Sequence, residues 1–455
     1  MNEKVPVTLG ESYEIFIDSL GSVGEGVGRY EGFTIFVDDA IIKERVLVKI
    51  FEVKKNFARG KIEKVLVKNV ARRDPICPLY NECGGCQFQH LSYEAQLQYK
   101  YIQVVSAITR IGQIKDATIF PVIGAKNPLH YRNKMQFPIR FDGEKAIIGC
   151  FAKGTHNVID TEHCFIEDKQ NNDLLIVAKE LINELRIPVY DENTHHGVLR
   201  HIMGRVGEDN TLMVVIITAT KELPREKDII RKLRERLPNL VSLHQNVQPQ
   251  HNNVILGEDT KKLFGKPTIY GVVGDFKFHI SPKSFFQVNT EQTKILYETA
   301  LDFANLTGRE IVVDAYCGTG TISLFLAQKA KKVYGIEIVS SAIQDAKKNA
   351  QENNVRNAEF LVGDAVNVMP RLLKMGIKAD VIVLDPPRAG SSEVVLETCA
   401  AMEPKRIIYV SCNPQSLARD LATLQNLGYK TVKVQPVDMF PQTNSVESVA
   451  LIERA

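Results

Sequence analysis

EIVVDAYCGTGTISLFLAQKAKKVYGIEI, residues 310–338, decides the fold of this 455-residue chain. An apolar, β-branched run ends on Asp314, turns through Gly318 and Gly320, and continues into the helical stretch TISLFLAQKA. A second run, KVYGIEI, then ends on Glu337. Short apolar runs separated by amphipathic helices are the pattern of parallel strands covered on both faces. The rhythm continues downstream. Helix SAIQDAKKNAQEN, strand AEFLVGD, a short helix, strand ADVIVLDPP, a further helix and strand RIIYVSC follow in turn. This alternation predicts an α/β domain over residues 285–455, a doubly wound, Rossmann-like parallel sheet whose ligand lies at the carboxyl ends of its strands. Asp314, Glu337, Asp364, Asp385 and Cys412 all fall at such ends.

Upstream the pattern differs. Between residues 13 and 67, YEIFIDSL, GFTIFVD and RVLVKIFEV alternate apolar and polar residues, and GSVGEGVGR reads as a glycine turn between the first two. Several short strands in so few residues predict a small barrel of the oligonucleotide-binding kind over residues 1–70. Residues 41–73 hold eleven Lys and Arg against three Glu, an excess that suits a polyanionic partner. A solvated charged face on a small β-domain is the plainer reading of the same residues. Residues 71–284 form a β-rich α+β middle domain, with strands at YRNKMQFPIRF, LMVVIITAT and KFHIS and helices at KQNNDLLIVAKELINEL and REKDIIRKLRERL. Its first helix, within residues 92–114, is placed to pack on the C-terminal domain.

No stretch reaches the ~18 uninterrupted apolar residues of a membrane span. The start, MNEKVPVTLGES, lacks the basic-then-apolar layout of a signal peptide, so a cytoplasmic location without membrane contact is expected. The eight cysteines are then thiols, metal ligands or catalysts in preference to disulfides.

The glycines after Asp314 allow a sharp turn and close ligand approach with a helix N-terminus behind. A dinucleotide fingerprint would place a third glycine at Ser323, and Asp314 would repel a pyrophosphate. A nucleoside carrying a sulfonium and an amino group fits better. Glu337 can accept both ribose hydroxyls, and Asp364 the adenine amino group. Each acid alone could be a solvated strand end, but the ordered set reads as a site. The order resembles methyltransferases that bind S-adenosyl-L-methionine on a Rossmann-like sheet, and Asp385-Pro-Pro-Arg388 resembles their substrate-facing motif. Arg388 stands where methylation of exocyclic amines would use an aromatic residue.

SCNPQSLARDLATL followed by DMFPQTNSVESVALIER resembles the signature of the bacterial uridine-C5 RNA methyltransferases. FFQVN, DAYCGTGTISL and LDPPRAG resemble their preceding motifs, HYRNKMQF a segment of their middle domain, and the N-terminal barrel their TRAM domain. The resemblance runs over nearly the whole chain. It implies Cys412 as nucleophile and Glu447 as base, with Gln287, Tyr316, Thr321, Glu337, Asp364 and Asp385 around cofactor and target base. Other family members carry different residues at Tyr316 and Thr321. The chemistry agrees with the residue types. Carbon 5 of uracil becomes nucleophilic once a thiolate adds at C6, and a base must afterwards remove the C5 proton. Glu447 alternates with Val449 and Leu451 on one strand face, where burial would raise its pKa.

Cys77, Cys83 and Cys86 form C-x5-C-x2-C, and Cys164 lies far downstream. Zinc, with His163 as a fourth ligand, and an iron–sulfur cluster both remain open on spacing, and Cys150 rivals Cys164. The 23S ribosomal RNA branch of the family is similar in carrying four such cysteines around a [4Fe–4S] cluster. That resemblance implies the cluster as cofactor, 23S ribosomal RNA as partner and a monomeric enzyme. The same chemistry on transfer RNA and a non-catalytic RNA-binding module are the alternatives.

Overall fold

Alternating apolar residues in the first strands close into a barrel. In the computed structural model, which describes residues 5–21 and 24–455, its order is Ser12–Leu20, Gly26–Tyr30, Phe33–Asp38, Phe57–Val67 and Arg45–Val53. Residues 1–4 and 22–23, part of the stretches used above for the leader and the first turn, lie outside the described residues. Ile15, Ile17, Ile35, Val37, Val46 and Val48 fill the interior at 0% exposure. The reading of GSVGEGVGR as a turn is corrected, because from Gly26 onward it is a strand paired on both sides. A Cβ at Gly28 would lie 2.3 Å from the Phe16 carbonyl oxygen. The tight barrel wall therefore selects glycine within a strand, and packing overrides propensity.

The middle region forms a seven-stranded sheet. Its order is Asp259–Gly265, Leu240–Val247, Leu212–Thr218, Leu199–Val206, Lys134–Phe141, Ala146–Phe151 and Val158–Asp160. Helices Lys169–Leu185 and Glu226–Arg236 cover one face through Leu174, Leu181, Ile229 and Leu233. From the other face Met203, Met213, Val215 and Ile217 share a core with residues of the C-terminal sheet.

That C-terminal sheet has eight strands. In order they are Ala358–Val362, Lys332–Glu337, Ile311–Asp314, Val381–Leu384, Arg406–Ser411, Glu447–Arg454, Tyr429–Val437 and Thr118–Ile119. The first five are parallel, as the alternation predicts. Glu447–Arg454 runs antiparallel to both neighbours. Only residues 438–446 connect it to the preceding strand, too few for the dozen or more that a parallel crossover needs. The edge strand Thr118–Ile119 comes from before the middle sheet.

Helix Tyr93–Ser106, capped by the Ser92 hydroxyl, ends in a π turn, Ala107–Ile111. Val104, Ala107 and Ile108 pack into the C-terminal core beside Leu417, Leu421 and Val434. The helix also carries a fully buried cation. Lys100 Nζ donates to Asp438 Oδ1 at 2.5 Å and to the Phe440 carbonyl at 3.0 Å. Tyr93 donates its hydroxyl to Asp438 Oδ2 at 2.9 Å. Among the described residues no helix is long and apolar enough to cross a membrane.

Breaking a buried pair on one side strands the other charge. Lys100→Met should therefore cost about 3–5 kcal/mol in chemical denaturation. The double variant Lys100→Met, Asp438→Asn should recover much of that loss.

Candidate active site

Backbone geometry opens the first part of the site. Gly318 has φ +54°, and no protein atom lies within 4 Å of where its Cβ would be. Gly320 has φ +84°, and there a Cβ would press on Ala346 and Phe360 at 3.1 Å. The first glycine faces open space and the second sits tightly against the fold. Asp314, fully buried, accepts from Ser323 Oγ at 2.6 Å, while its Oδ1 has no hydrogen-bond partner. Glu337 accepts from the Gly318 amide at 3.3 Å and the Val339 amide at 2.9 Å. Asp364 caps the next helix, accepting from the Val366 amide at 3.0 Å. An orphaned buried carboxylate oxygen, two further carboxylates at adjoining strand ends and open space over Gly318 suit a cationic nucleoside ligand. S-adenosyl-L-methionine has that chemistry.

Thr321 and Tyr316 diverge. Thr321 begins the following helix and shares a 3.1 Å hydrogen bond with the buried Tyr297 hydroxyl. Tyr316 turns toward Ser391 and Asp364, on the other side of the sheet. Gln287 lies on a loop fastened from the middle sheet. Asn133 donates its side-chain amide to the Gln287 carbonyl at 3.1 Å, and Arg205 Nη2 donates to the Ser284 carbonyl at 2.6 Å. Between them Phe285 is 72% exposed, an aromatic face presented to solvent beside Gln287.

Strand register brings Cys412 and Glu447 together. Ser411 pairs with Ser448 in the antiparallel ladder, so Cys412 and Glu447 occupy the next opposed step at its end. Glu447 is 5% exposed, and burial, then the charge of Asp385, pushes its pKa up to about 8. Asp385 is pushed up to about 7 by desolvation and then by Asp314, and Asp314 to about 6 by desolvation. Desolvation and Glu447 raise the Cys412 thiol, whereas Arg388 opposes this through its charge and a hydrogen bond. Tyr297 feels Asp385, Glu447 and Asp314 together, so these acids border one space.

Tyr297 is the residue that sequence reasoning missed, and the place of Arg388 beside the thiol is the role it did not give. Arg388 was visible in the DPPR run, yet only three-dimensional contact shows it beside the thiol. Tyr297 sits in an ordinary amphipathic helix, Thr290–Ala304, with no local signal.

Residues 92–455 match the family described as tRNA (Uracil-5-)-methyltransferase, and residues 6–62 match the TRAM domain. The chain belongs to the tRNA (uracil-5-)-methyltransferase family. It is accordingly an S-adenosylmethionine-dependent RNA methyltransferase of the uracil-C5 type. Among its relatives is a Clostridium tetani protein described as an uncharacterized RNA methyltransferase. The two are 48% identical, over 99% of this chain and 98% of the relative. A Bacillus cereus protein with the same description is 49% identical, over 99% and 98%. The structure of the Pyrococcus abyssi tRNA (uracil-54, C5)-methyltransferase, in complex with S-adenosyl-L-homocysteine, superimposes with a TM-score of 0.77. That match is 27% identical and covers 97% of this chain and all of that one (100%).

The cysteines predicted as ligands gather elsewhere. Cys77, Cys83, Cys86 and Cys164, together with Cys150 and Arg132, line a cavity of about 240 Å3. Cys83 and Cys150 are hydrogen-bonded to each other, and burial pushes the Cys86 thiol up to about 11 and the Cys164 thiol to about 12. His163, the alternative zinc ligand, instead packs its ring against His130 and Phe165. Among the described residues no three His, Cys, Asp or Glu side chains are gathered as a metal ion would need.

The protonated form of Glu447 is the one that burial tolerates. Its contribution to stability is complete below the ordinary value of 4.5 and is lost as pH rises through about 8. Glu447→Gln should therefore melt at a higher temperature than the native protein at pH 9. The difference should shrink toward zero near pH 5 in a thermal-melt series.

Proposed function

We propose that this protein methylates carbon 5 of uridine in 23S ribosomal RNA, through a covalent adduct of Cys412 that Glu447 resolves. One observation carries the chemistry. A thiol and a buried carboxyl oppose each other at the end of the Arg406–Ser411 and Glu447–Arg454 ladder, beside the acidic pocket at the adjoining strand ends.

Asp314, Glu337 and Asp364 would hold S-adenosyl-L-methionine, which would supply an electrophilic methyl group and leave as S-adenosyl-L-homocysteine. Arg388 favours the Cys412 thiolate, whose sulfur bonds to C6 and leaves carbanion character at C5. Asp385 and Gln287 hydrogen-bond the uracil edge, and Phe285 offers a stacking face for an unstacked base. After methylation, Glu447 takes the C5 proton, the C5–C6 double bond reforms and the S–C6 bond breaks. A raised pKa makes the ionised form of this carboxyl a stronger base, and it is that form that takes the C5 proton.

The barrel supports an RNA substrate. Lys43, Lys49, Lys55, Lys61, Lys64 and Lys68 are exposed and, among the described residues, form no ion pair. They are free for salt-sensitive phosphate contacts. The cysteine cavity supports the ribosomal branch. Five thiols and the cationic Arg132 line one cavity of about 240 Å3, a donor set that suits an anionic group such as [4Fe–4S]. Cys77, Cys83 and Cys86 would hold it, with Cys164 or Cys150 as the fourth ligand, tying the barrel linker to the middle sheet. Transfer RNA is the second reading. The Pyrococcus abyssi enzyme that acts on it matches 97% of this chain, so overall architecture does not by itself separate the two targets.

One experiment tests both nucleophile and target. RNA carrying 5-fluorouridine cannot lose its C5 substituent as a proton, so the wild-type protein with S-adenosylmethionine should form a denaturant-stable adduct. The adduct should appear with 23S ribosomal RNA fragments and be absent with Cys412→Ala. An adduct mainly with transfer RNA would select the second reading, and one that survives in Cys412→Ala would refute the nucleophile.

Protein purified without oxygen should be brown with broad iron–sulfur absorption, and Cys83→Ser should lose it. Stoichiometric zinc without iron in elemental analysis would overturn the cluster.

A further inference from the structure

Between the last two strands of the catalytic sheet, residues 438–446 run as a strap with no regular structure of their own. Its ends are pinned, because Val437 pairs with Glu447. Its middle is held from several sides. Gln292 donates to the Asp438 carbonyl at 3.0 Å, Asn289 to the Met439 carbonyl at 3.1 Å, and Tyr131 to the Pro441 carbonyl at 3.0 Å. The densest anchoring falls on Gln442.

Gln442 is 7% exposed and has φ +70°, a left-handed backbone that a non-glycine residue seldom adopts. Its carbonyl accepts from the Gln87 and Phe88 amides at 3.0 and 2.9 Å. Its amide donates to Gln96 Oε1 at 3.0 Å, and Gln96 Nε2 donates back to Gln442 Oε1 at 3.0 Å. Its own Nε2 reaches the Pro128 carbonyl at 3.3 Å. A strained conformation persists where its surroundings over-determine it, and such positions cluster at working sites. The buried amides would otherwise be unsatisfied, so none of these bonds is optional.

We propose that Gln442 is a positioning residue for Glu447, holding the strap so that this carboxyl stays opposite Cys412. The inference rests on the reading of Glu447 as the base. Cys412 leaves a strand that is also held on its far side by Val381–Leu384, so its position depends less on the strap than that of Glu447. Glu447 is the first residue after the strap and is held only by the last step of its ladder, so a relaxation of residues 438–446 bears on it first. Adduct formation and methyl transfer use the thiol, whereas adduct resolution uses the carboxyl. Loosening the strap should therefore separate the two halves of the reaction. Proton transfer needs hydrogen-bond geometry, and a displacement of about 1 Å costs on the order of a hundredfold in rate.

The test is single-turnover reaction of Gln442→Ala and Gln96→Ala with the RNA that forms the fluorouridine adduct, now carrying ordinary uridine. Covalent complex and released product are resolved on denaturing gels, and S-adenosylmethionine affinity is measured separately. Both variants should bind the cofactor as the wild type does and form methylated complex at a rate within a few-fold of it. Release of product should slow on the order of tenfold or more, and the complex should accumulate. Gln442→Gly keeps the left-handed backbone and loses only the side-chain bonds, so it guards against misfolding of the alanine variant. It should show the same accumulation. Equal slowing of both steps, or normal release in all three variants, would overturn the proposal. Glu447→Gln run alongside separates the causes. If it accumulates complex and the Gln442 variants do not, the strap inference fails and the base assignment stands. If Glu447→Gln releases product normally, the base assignment falls and the inference with it.

Discussion

Asp438 directly follows the long strand Tyr429–Val437 of the last hairpin, and Lys100 reaches it from a helix formed before the middle sheet begins. Both charges are fully buried, and the Tyr93 hydroxyl occupies the second carboxylate oxygen. A buried pair is seldom stabilising relative to an apolar replacement, because desolvation offsets much of the attraction. Its value is geometric, since the charges tolerate few other arrangements. The pair fixes helix Tyr93–Ser106 against the hairpin, and the edge strand Thr118–Ile119 then completes the sheet beside Tyr429–Val437. Barrel linker, catalytic sheet and strap meet at this contact. The middle sheet joins them through its apolar face and through Asn133 and Arg205 on the loop of Gln287.

The active-site cleft concentrates what stability opposes. Asp314, Asp385 and Glu447 are carboxyls with raised pKa values, and each raises that of a neighbour or is raised by one. An apolar core would replace them with leucines at a gain in stability. The sheet tolerates them because Val312, Val313 and Val381–Leu384 behind them are fully buried, and the cost is localised at the strand ends. A cationic cofactor would relieve part of that repulsion.

Much of this was legible in the residues. Alternation after Gln292 gave the parallel strands, and every acid assigned to a strand end lies at one. Cys412 and Glu447 were paired through motif resemblance, and the ladder brings them into opposition through register. Four features were not legible. Gly26–Tyr30 reads as turn chemistry because glycine's role there is to admit a neighbouring backbone, a contact between distant residues. The reversal of the last strand depends on a loop length that local propensity does not report. Arg388 beside Cys412, and Gln442 held by Gln87, Phe88 and Gln96, arise from contacts across separate elements, which no single stretch of sequence contains.

The separation between Lys100 and Asp438 has a temporal meaning. They stand 338 residues apart. At a synthesis rate of about 5–20 residues per second, Lys100 emerges on the order of twenty to seventy seconds before its partner exists. During that interval helix Tyr93–Ser106 cannot bury its ammonium group without an anion, so the helix must wait in water while barrel and middle sheet fold around it. The first-made helix is thus among the last to dock. A nascent chain stalled before residue 438 would display this unfinished surface to whatever folding assistance the cell provides.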